Sequence, residues 1–191
     1  MLSLPILTQK EQVGLNAEKN KIAKNKSAVI TAIIAGFITL FFCVESFQAL
    51  LANLFGAENV VLKYNLILLL AEYNLTGLTL SSSIIITLSP IMFLIIITEI
   101  VAILQQKVSA GRLSNSLMLY RLILIGYLLL FVFYETVTVI LREFMSSDFV
   151  IFINHINLKT PVLYFLLFAL IVLTAGYINL HTKRISSYIN R

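Results

Sequence analysis

Residues Leu80 to Leu104 read LSSSIIITLSPIMFLIIITEIVAIL, an apolar run in which Glu99 is the only charged side chain. A helix needs about 20 mostly apolar residues to cross a bilayer, so this run predicts a transmembrane helix. Three further runs meet the same requirement, at residues 28–51, 117–141 and 162–180. Hydrophobic residues make up 59% of the chain and charged residues 12%, which excludes an ordinary soluble domain. We therefore predict an all-α, polytopic membrane protein in which residues 28–181 form a bundle of four transmembrane helices.

Two local features add detail to this four-helix pattern. Pro90 lies inside the second run. Because proline lacks an N–H and clashes with the preceding turn, it predicts a kink in the second helix. Residues 62–71 are also apolar, but this stretch is too short to cross a bilayer. It predicts a short interfacial segment between the first and second helices.

Basic residues are concentrated before the first span, between the second and third spans, and after the fourth. They are Lys10, Lys19, Lys21, Lys24, Lys26, Lys107, Arg112, Lys183, Arg184 and Arg191. Cytoplasmic segments of membrane proteins are enriched in lysine and arginine, so both termini are predicted to be cytoplasmic. This orientation agrees with an even number of spans. Residues 1–27 and 182–191 are accordingly predicted to be basic cytoplasmic segments that flank the transmembrane domain.

The same charges indicate partners and location. The net charge is +5, but the basic residues are few and scattered. They therefore suit the anionic lipid headgroups of the cytoplasmic face better than nucleic acid. We expect an integral protein of a prokaryotic cytoplasmic membrane, with an organellar inner membrane as the alternative.

Small residues form a stripe on the first span. Ala28, Ala32 and Gly36 recur at intervals of four and so share one face of the helix. Small residues allow two helix backbones to approach closely in a membrane. The stripe predicts a helix-packing surface, either within the chain or against another subunit.

Two opposite charges are predicted to form an ion pair in the cytoplasmic half of the membrane. Glu99 and Arg121 lie equally far from the turn between the second and third spans, so they reach similar depth. An unpaired charge inside a bilayer is costly, which favours pairing. We interpret this pair as structural, because it would fix the register of the two helices.

A second polar group is predicted near the outer surface. Glu45 and Glu135 each lie about 27 Å along their helix from its cytoplasmic start, at 1.5 Å per residue. Gln48 and Thr138 fall at comparable depth. Two neighbouring carboxylates can bind a proton or a cation. The alternative is that both carboxylates face water or cap neighbouring helices.

Residues that bind cofactors or metals are sparse. His155 is predicted outside and His181 inside, so they cannot share one haem. The single cysteine, Cys43, lies within the first span and is interpreted as a packing residue. No zinc-binding spacing, P-loop or nucleophile motif occurs in the sequence. These observations predict no cofactor, no metal site and no enzymatic activity.

The favoured function is that of a small non-enzymatic membrane protein, acting as an accessory or structural subunit of a membrane complex or as a homo-oligomer. Short loops leave little room for an enclosed substrate pathway, whereas the small-residue stripe and the polar third helix offer packing surfaces. Its partners would be other membrane subunits or further copies of the chain. The alternative is a proton- or cation-conducting protein that uses Glu45 and Glu135.

Overall fold

The computed structural model describes residues 26–65, 68–108, 111–141, 147–156 and 159–189. The described part of the chain is mostly helical, at 84%, and it contains four helices that are long and apolar enough to span a membrane. These helices are α1 (Lys26–Leu54), α2 (Leu80–Lys107), α3 (Arg112–Ile140) and α5 (Thr160–Ile189). The prediction of four membrane-spanning helices is therefore confirmed at the level of length and composition.

Two elements were not predicted. Strands β1 (Glu58–Asn65) and β2 (Leu68–Asn74) form an antiparallel hairpin between α1 and α2. A short helix, α4 (Asp148–Ile156), lies between α3 and α5. The all-α assignment is therefore wrong for the segment between the first two spans, which is a β-hairpin.

The hairpin follows from local sequence. Its first strand, ENVVLKYN, carries consecutive β-branched residues and a tyrosine, which favour extended backbone. Leu62 pairs with Ala71, so residues 62–65 and 68–71 of the predicted interfacial segment belong to the two strands of the hairpin. Lys63 and Glu72 form a cross-strand ion pair at 2.5 Å. The location of this segment at a membrane surface stays a prediction.

Helix α2 contains Pro90 and continues through it. Proline has no N–H to donate to the carbonyl four residues earlier, which is that of Ile86. The hydroxyl of Ser89 donates to this carbonyl at 2.7 Å and replaces the missing hydrogen bond. The lost backbone hydrogen bond is thereby compensated locally, and the predicted kink stays a prediction.

Helices α2 and α3 make the most extensive helix–helix contact in the described part of the chain. Their shared core is an apolar layer formed by Ile91, Leu94, Leu124 and Leu128. Helix α5 lies at the periphery, because 17% of its most apolar 18-residue segment is buried, compared with 44% of the corresponding segment of α2. It also extends without interruption through residues 182–189, which the domain prediction assigned to a separate tail.

Candidate functional site

Polar side chains, several of them buried, gather at two opposite ends of the long helices. The hairpin-end cluster lies where α1 ends and α2 begins, and comprises Glu45, Gln48, Tyr73, Glu135, Thr138, Ser147 and Asp148. The tail-end cluster lies near the α2–α3 turn and comprises Glu99, Gln105, Arg121, His181 and Arg184. All four predicted members of the proton or cation site are in the hairpin-end cluster, and both predicted members of the ion pair are in the tail-end cluster.

Gln48 organises the hairpin-end cluster. Its side chain is fully buried, and Nε2 donates to Oδ2 of Asp148 at 2.7 Å and to the hydroxyl of Tyr73 at 2.8 Å. The Tyr73 hydroxyl also hydrogen-bonds to the Asp148 carboxylate. Oε1 of Gln48 has no hydrogen-bond partner among the described residues, although it is shielded from solvent. The cluster thus joins α1, the hairpin and α4 and holds one unsatisfied acceptor.

Glu45 and Glu135 each accept a backbone hydrogen bond. Oε2 of Glu45 accepts from the N–H of Ala71 at 2.9 Å, which attaches β2 to α1. Oε2 of Glu135 accepts from the N–H of Phe149 at 3.3 Å, in the first turn of α4. A carboxylate at a helix N-terminus satisfies a free N–H and interacts favourably with the helix dipole. Glu135 therefore caps α4, whereas Glu45 binds a strand N–H, and a proton or cation role of the two carboxylates stays a prediction.

Thr138 of α3 and Ser147 connect α3 to the N-terminal end of α4. The hydroxyl of Thr138 donates to Oγ of Ser147 at 2.8 Å, and Oγ of Ser147 accepts from the N–H of Val150 at 3.4 Å. Ser147 therefore caps α4, as expected of a serine immediately before a helix. The cap explains why a short helix begins at Asp148.

The hairpin-end cluster contains three carboxyl groups and no basic side chain. Glu135 accepts from the N–H of Phe149, the residue after Asp148. Glu45 accepts from the N–H of Ala71, two residues before the Tyr73 that Gln48 joins to Asp148. Among the described residues, no lysine, arginine or histidine lies within ion-pairing distance of any of the three. Charged carboxylates that share a buried site destabilise one another, and uptake of a proton relieves the repulsion.

Two groups of this cluster lie outside the spanning helices. Burial raises the pKa of the Asp148 carboxyl, and the hydrogen bonds from Gln48 and Tyr73 offset part of this effect. Burial and the nearby Asp148 carboxylate raise the pKa of the Tyr73 phenol, so Tyr73 stays a hydrogen-bond donor. In the part of the chain that the structure describes, no three His, Cys, Asp or Glu side chains are placed to hold a metal ion.

The tail-end cluster corrects the predicted direct ion pair. Glu99 and Arg121 do not contact each other, because the ring of His181 lies between them. Arg121 donates to Nδ1 of His181 from Nε at 3.0 Å and from Nη2 at 2.6 Å. Nε2 of His181 is 2.8 Å from Oε1 of Glu99. A guanidinium only donates, so Nδ1 accepts, and the ring proton on Nε2 is donated to Glu99.

The remaining contacts hold this bridge in place. Arg121 also donates to Oε1 of Gln105 at 3.2 Å, and Arg184 lies 3.6 Å from Oε2 of Glu99. Arg121 and His181 are buried, whereas the Glu99 side chain is 40% exposed. The cluster ties α2, α3 and α5 together at one depth.

Sequence reasoning missed His181, Asp148 and Tyr73. His181 lies one residue beyond the predicted fourth span and was considered only as a haem ligand. Counting its depth along α5 from the tail end would have placed it beside Glu99 and Arg121. Asp148 and Tyr73 lie in connecting segments, and their sequence gives no signal that the chain folds back onto the helices.

The small-residue stripe packs within the chain. Ala28 and Ala32 are each 1% exposed, and Gly36 is buried. A methyl group added at Gly36 would lie 2.7 Å from Cγ2 of Ile123 on α3. Gly36 therefore permits close approach of α1 to α3, and the stripe presents little surface to another subunit.

No protein-family model matches the chain, and neither a curated protein nor a solved structure is found to be similar to it.

Proposed function

We propose that this chain is a non-enzymatic integral membrane protein that conducts protons, with the hairpin-end cluster as its outer proton site. The observation that carries the proposal is that Glu45, Glu135 and Asp148 share the hairpin-end cluster without a basic partner in the described part of the chain. Ionisable groups inside a membrane protein are costly and commonly mark proton pathways.

The tail-end cluster supports a second proton site at the other end. Arg121 and Glu135 are both on α3, and the 14 residues between them span about 21 Å at 1.5 Å per residue. His181 donates at Nε2 to Glu99 and accepts from Arg121 at Nδ1, so uptake of a proton at Nδ1 requires that Arg121 moves away. Protons would leave towards the solvent through Glu99, which is partly exposed.

Buried polar residues on α2 line part of the route between the two clusters. Ser83, Thr98 and Gln105 are all buried, and their spacing keeps them close to one helix face. The apolar layer of Ile91, Leu94, Leu124 and Leu128 interrupts this polar face. The described conformation is therefore closed, and conduction requires that water enters the apolar layer.

The test is proton flux into proteoliposomes under an imposed membrane potential. Wild-type protein is expected to conduct above protein-free vesicles, and Glu135→Gln and Asp148→Asn are each expected to lose at least about tenfold, because glutamine and asparagine do not titrate. Glu58→Gln is the matched control, since it removes an exposed carboxylate from the same end. Wild-type flux equal to that of empty vesicles, or equal loss in the control, would overturn the proposal.

The proposal also requires the predicted orientation. In a Cys43→Ala background, an impermeant thiol reagent added to intact cells should label a cysteine at position 58 and leave positions 107 and 184 unlabelled. These positions flank the spanning helices at opposite ends. Labelling of position 107 from outside would place the acidic cluster on the cytoplasmic side.

A subunit role is the second candidate, and the exposed face of α5 favours it. Phe165, Phe168 and Leu173 are each about two-thirds exposed, so this face is free to contact lipid or another protein. The mass of the particle in mild detergent separates the two functions. Stable partner subunits, together with no proton flux, would promote this candidate over conduction.

A further inference from the structure

An apolar cavity of about 370 Å³ lies between the start of α2, the helix α4 and the start of α5. Its volume falls within the range of about 300–1,000 Å³ that is usual for ligand sites. Phe149 and Phe152 of α4 form one wall. Leu166 and Leu173 line the cavity and are also exposed on α5, so it opens onto the apolar surface of the spanning helices. A ligand could enter it sideways from the bilayer.

Thr87 is the polar residue of the cavity lining. It is 1% exposed, and its hydroxyl has no hydrogen-bond partner among the described residues. Other threonines in the spanning helices donate to the carbonyl four residues earlier, as Thr98 and Thr136 do at 2.7 Å. A buried hydroxyl without a partner costs about 1–3 kcal/mol. Thr87 lines the cavity, so rotation about χ1, for which threonine has two accessible rotamers in a helix, would turn the hydroxyl towards an acceptor there and remove this cost.

The depth of Thr87 identifies the kind of acceptor. The 28 residues of α2 are about 42 Å long, and the hydrocarbon core of a bilayer is about 30 Å thick, which leaves about 6 Å beyond the core at each end. Thr87 is seven residues, or about 10 Å, from the start of α2. With α2 centred, Thr87 lies about 4 Å inside the core, just below the level at which phospholipid headgroups give way to hydrocarbon.

We propose that this cavity binds one acyl chain of a glycerophospholipid, with the ester carbonyl of that chain accepting a hydrogen bond from Thr87. The apolar walls suit the hydrocarbon chain, the lateral opening admits it from the membrane, and the single unpartnered donor matches its single carbonyl. The headgroup then remains at the surface near the N-terminus of α2. This site is separate from the two polar clusters, and its occupancy does not depend on proton conduction.

Native mass spectrometry with two matched lipids tests the proposal. The full chain is purified into micelles that contain equal amounts of a diester phosphatidylglycerol and a diether analogue with the same hydrocarbon chains. The diether lacks carbonyls, so wild-type protein is expected to retain the diester about fivefold more often, the ratio that one hydrogen bond of about 1 kcal/mol provides. Thr87→Val, which keeps the shape and removes the hydroxyl, is expected to abolish this preference.

Three further variants make the result specific. Thr87→Ser keeps a hydroxyl and should retain the preference. Thr98→Val is the matched control on the same helix, because the Thr98 hydroxyl is already bonded within α2 and lies outside the cavity. Leu170→Trp fills the cavity and should reduce the amount of retained phospholipid, with circular dichroism showing that the helices persist. Retention of detergent without phospholipid, equal retention of both lipids by wild-type protein, or a preference that survives in Thr87→Val would overturn the proposal.

Discussion

His181 donates from Nε2 to Oε1 of Glu99 at 2.8 Å, and on the opposite side of its ring it accepts from Arg121. The ring therefore separates two charges that would otherwise pair directly, and it satisfies both. Arg121 is buried while Glu99 is partly exposed, so the two charges depend on this bridge to different degrees.

Loss of the bridge should destabilise the protein mainly through Arg121. In His181→Phe the ring shape is roughly kept and all three hydrogen bonds of the ring are lost, so the expected cost is about 2–3 kcal/mol for a buried charged donor. Glu99→Gln should cost less than about 1 kcal/mol, because its carboxylate is partly solvated and glutamine still accepts from His181. Thermal unfolding in a mild detergent measures both.

The coupling between Glu99 and Arg121 tests the bridge itself. A double-mutant cycle of Glu99→Gln and Arg121→Met should show coupling in the wild-type chain and little coupling in His181→Phe. His155→Phe is the matched control, since His155 is exposed and outside the cluster. Equal coupling with and without His181 would show that the two charges interact directly.

Features of the fold that depend on local interactions are predictable from the sequence, whereas features that depend on contacts between distant segments are not. Length and hydropathy are local properties, so they predict most ends of the four spanning helices to within a few residues. The common depth of Glu99 and Arg121, and of Glu45 and Glu135, follows from counting residues along helices. What lies between such residues depends on how distant segments pack, and a single sequence does not report that.

The hairpin shows the same limit at short range. An apolar stretch of the length of residues 62–71 fits a strand, a buried helix turn or a surface segment equally well by periodicity. The register that pairs Leu62 with Ala71 brings Tyr73 and the N–H of Ala71 against α1. Asp148 reaches the same cluster only because α4 folds back beside α2 and α3.

Close approach of α1 to α3 should make Gly36 intolerant of even one added carbon. In Gly36→Ala the new methyl group would lie 2.7 Å from Cγ2 of Ile123. This Cγ2 is a methyl group on the branched Cβ, so it cannot move without rotating the whole side chain. We expect a loss of about 1–3 kcal/mol from overpacking, measured by thermal unfolding in detergent. Combination with Ile123→Ala, which removes Cγ2, should recover part of the loss.

Gly126→Ala is the control for this substitution. Gly126 is also inside a spanning helix, but nothing lies within 4 Å of an added methyl group. Alanine favours helix over glycine by about 1 kcal/mol, so Gly126→Ala should be neutral or stabilising. A similar loss in both variants would mean that helix propensity or lipid contact, and not the contact with Ile123, determines the result.

Ser89 should matter only as long as Pro90 is present. The Ser89 hydroxyl bonds to the carbonyl of Ile86, which has lost its usual donor to the proline. Ser89→Ala should therefore cost about 1–2 kcal/mol, the cost of a buried acceptor left without a donor. In a Pro90→Ala background the backbone N–H returns, and the same Ser89→Ala change should cost almost nothing. An equal cost in both backgrounds would contradict this compensation.

The stability of the protein should fall as the pH rises through the weakly acidic range, because of Asp148. Burial raises the pKa of this carboxyl in the folded protein above its ordinary value of 3.8. Between these two pKa values the folded chain binds more protons than the unfolded chain, so the free energy of unfolding decreases with increasing pH. The loss is complete once the pH exceeds the folded pKa.

Four other groups face Asp148, namely Glu45 and Gln48 of α1, Tyr73 of β2 and Glu135 of α3. Two variants separate the titration of Asp148 from the contribution of these groups. Asp148→Asn does not titrate, so its unfolding temperature in detergent should vary less with pH than that of the wild type between about pH 4 and pH 7. Tyr73→Phe removes a hydrogen bond that favours the charged carboxylate, so it should raise the pKa of Asp148 further and extend the loss of stability to higher pH. Exposed Glu58 provides the control, and Glu58→Gln should leave the wild-type profile unchanged. Identical profiles for the wild type and Asp148→Asn would show that the Asp148 carboxyl titrates as it does in an unfolded chain.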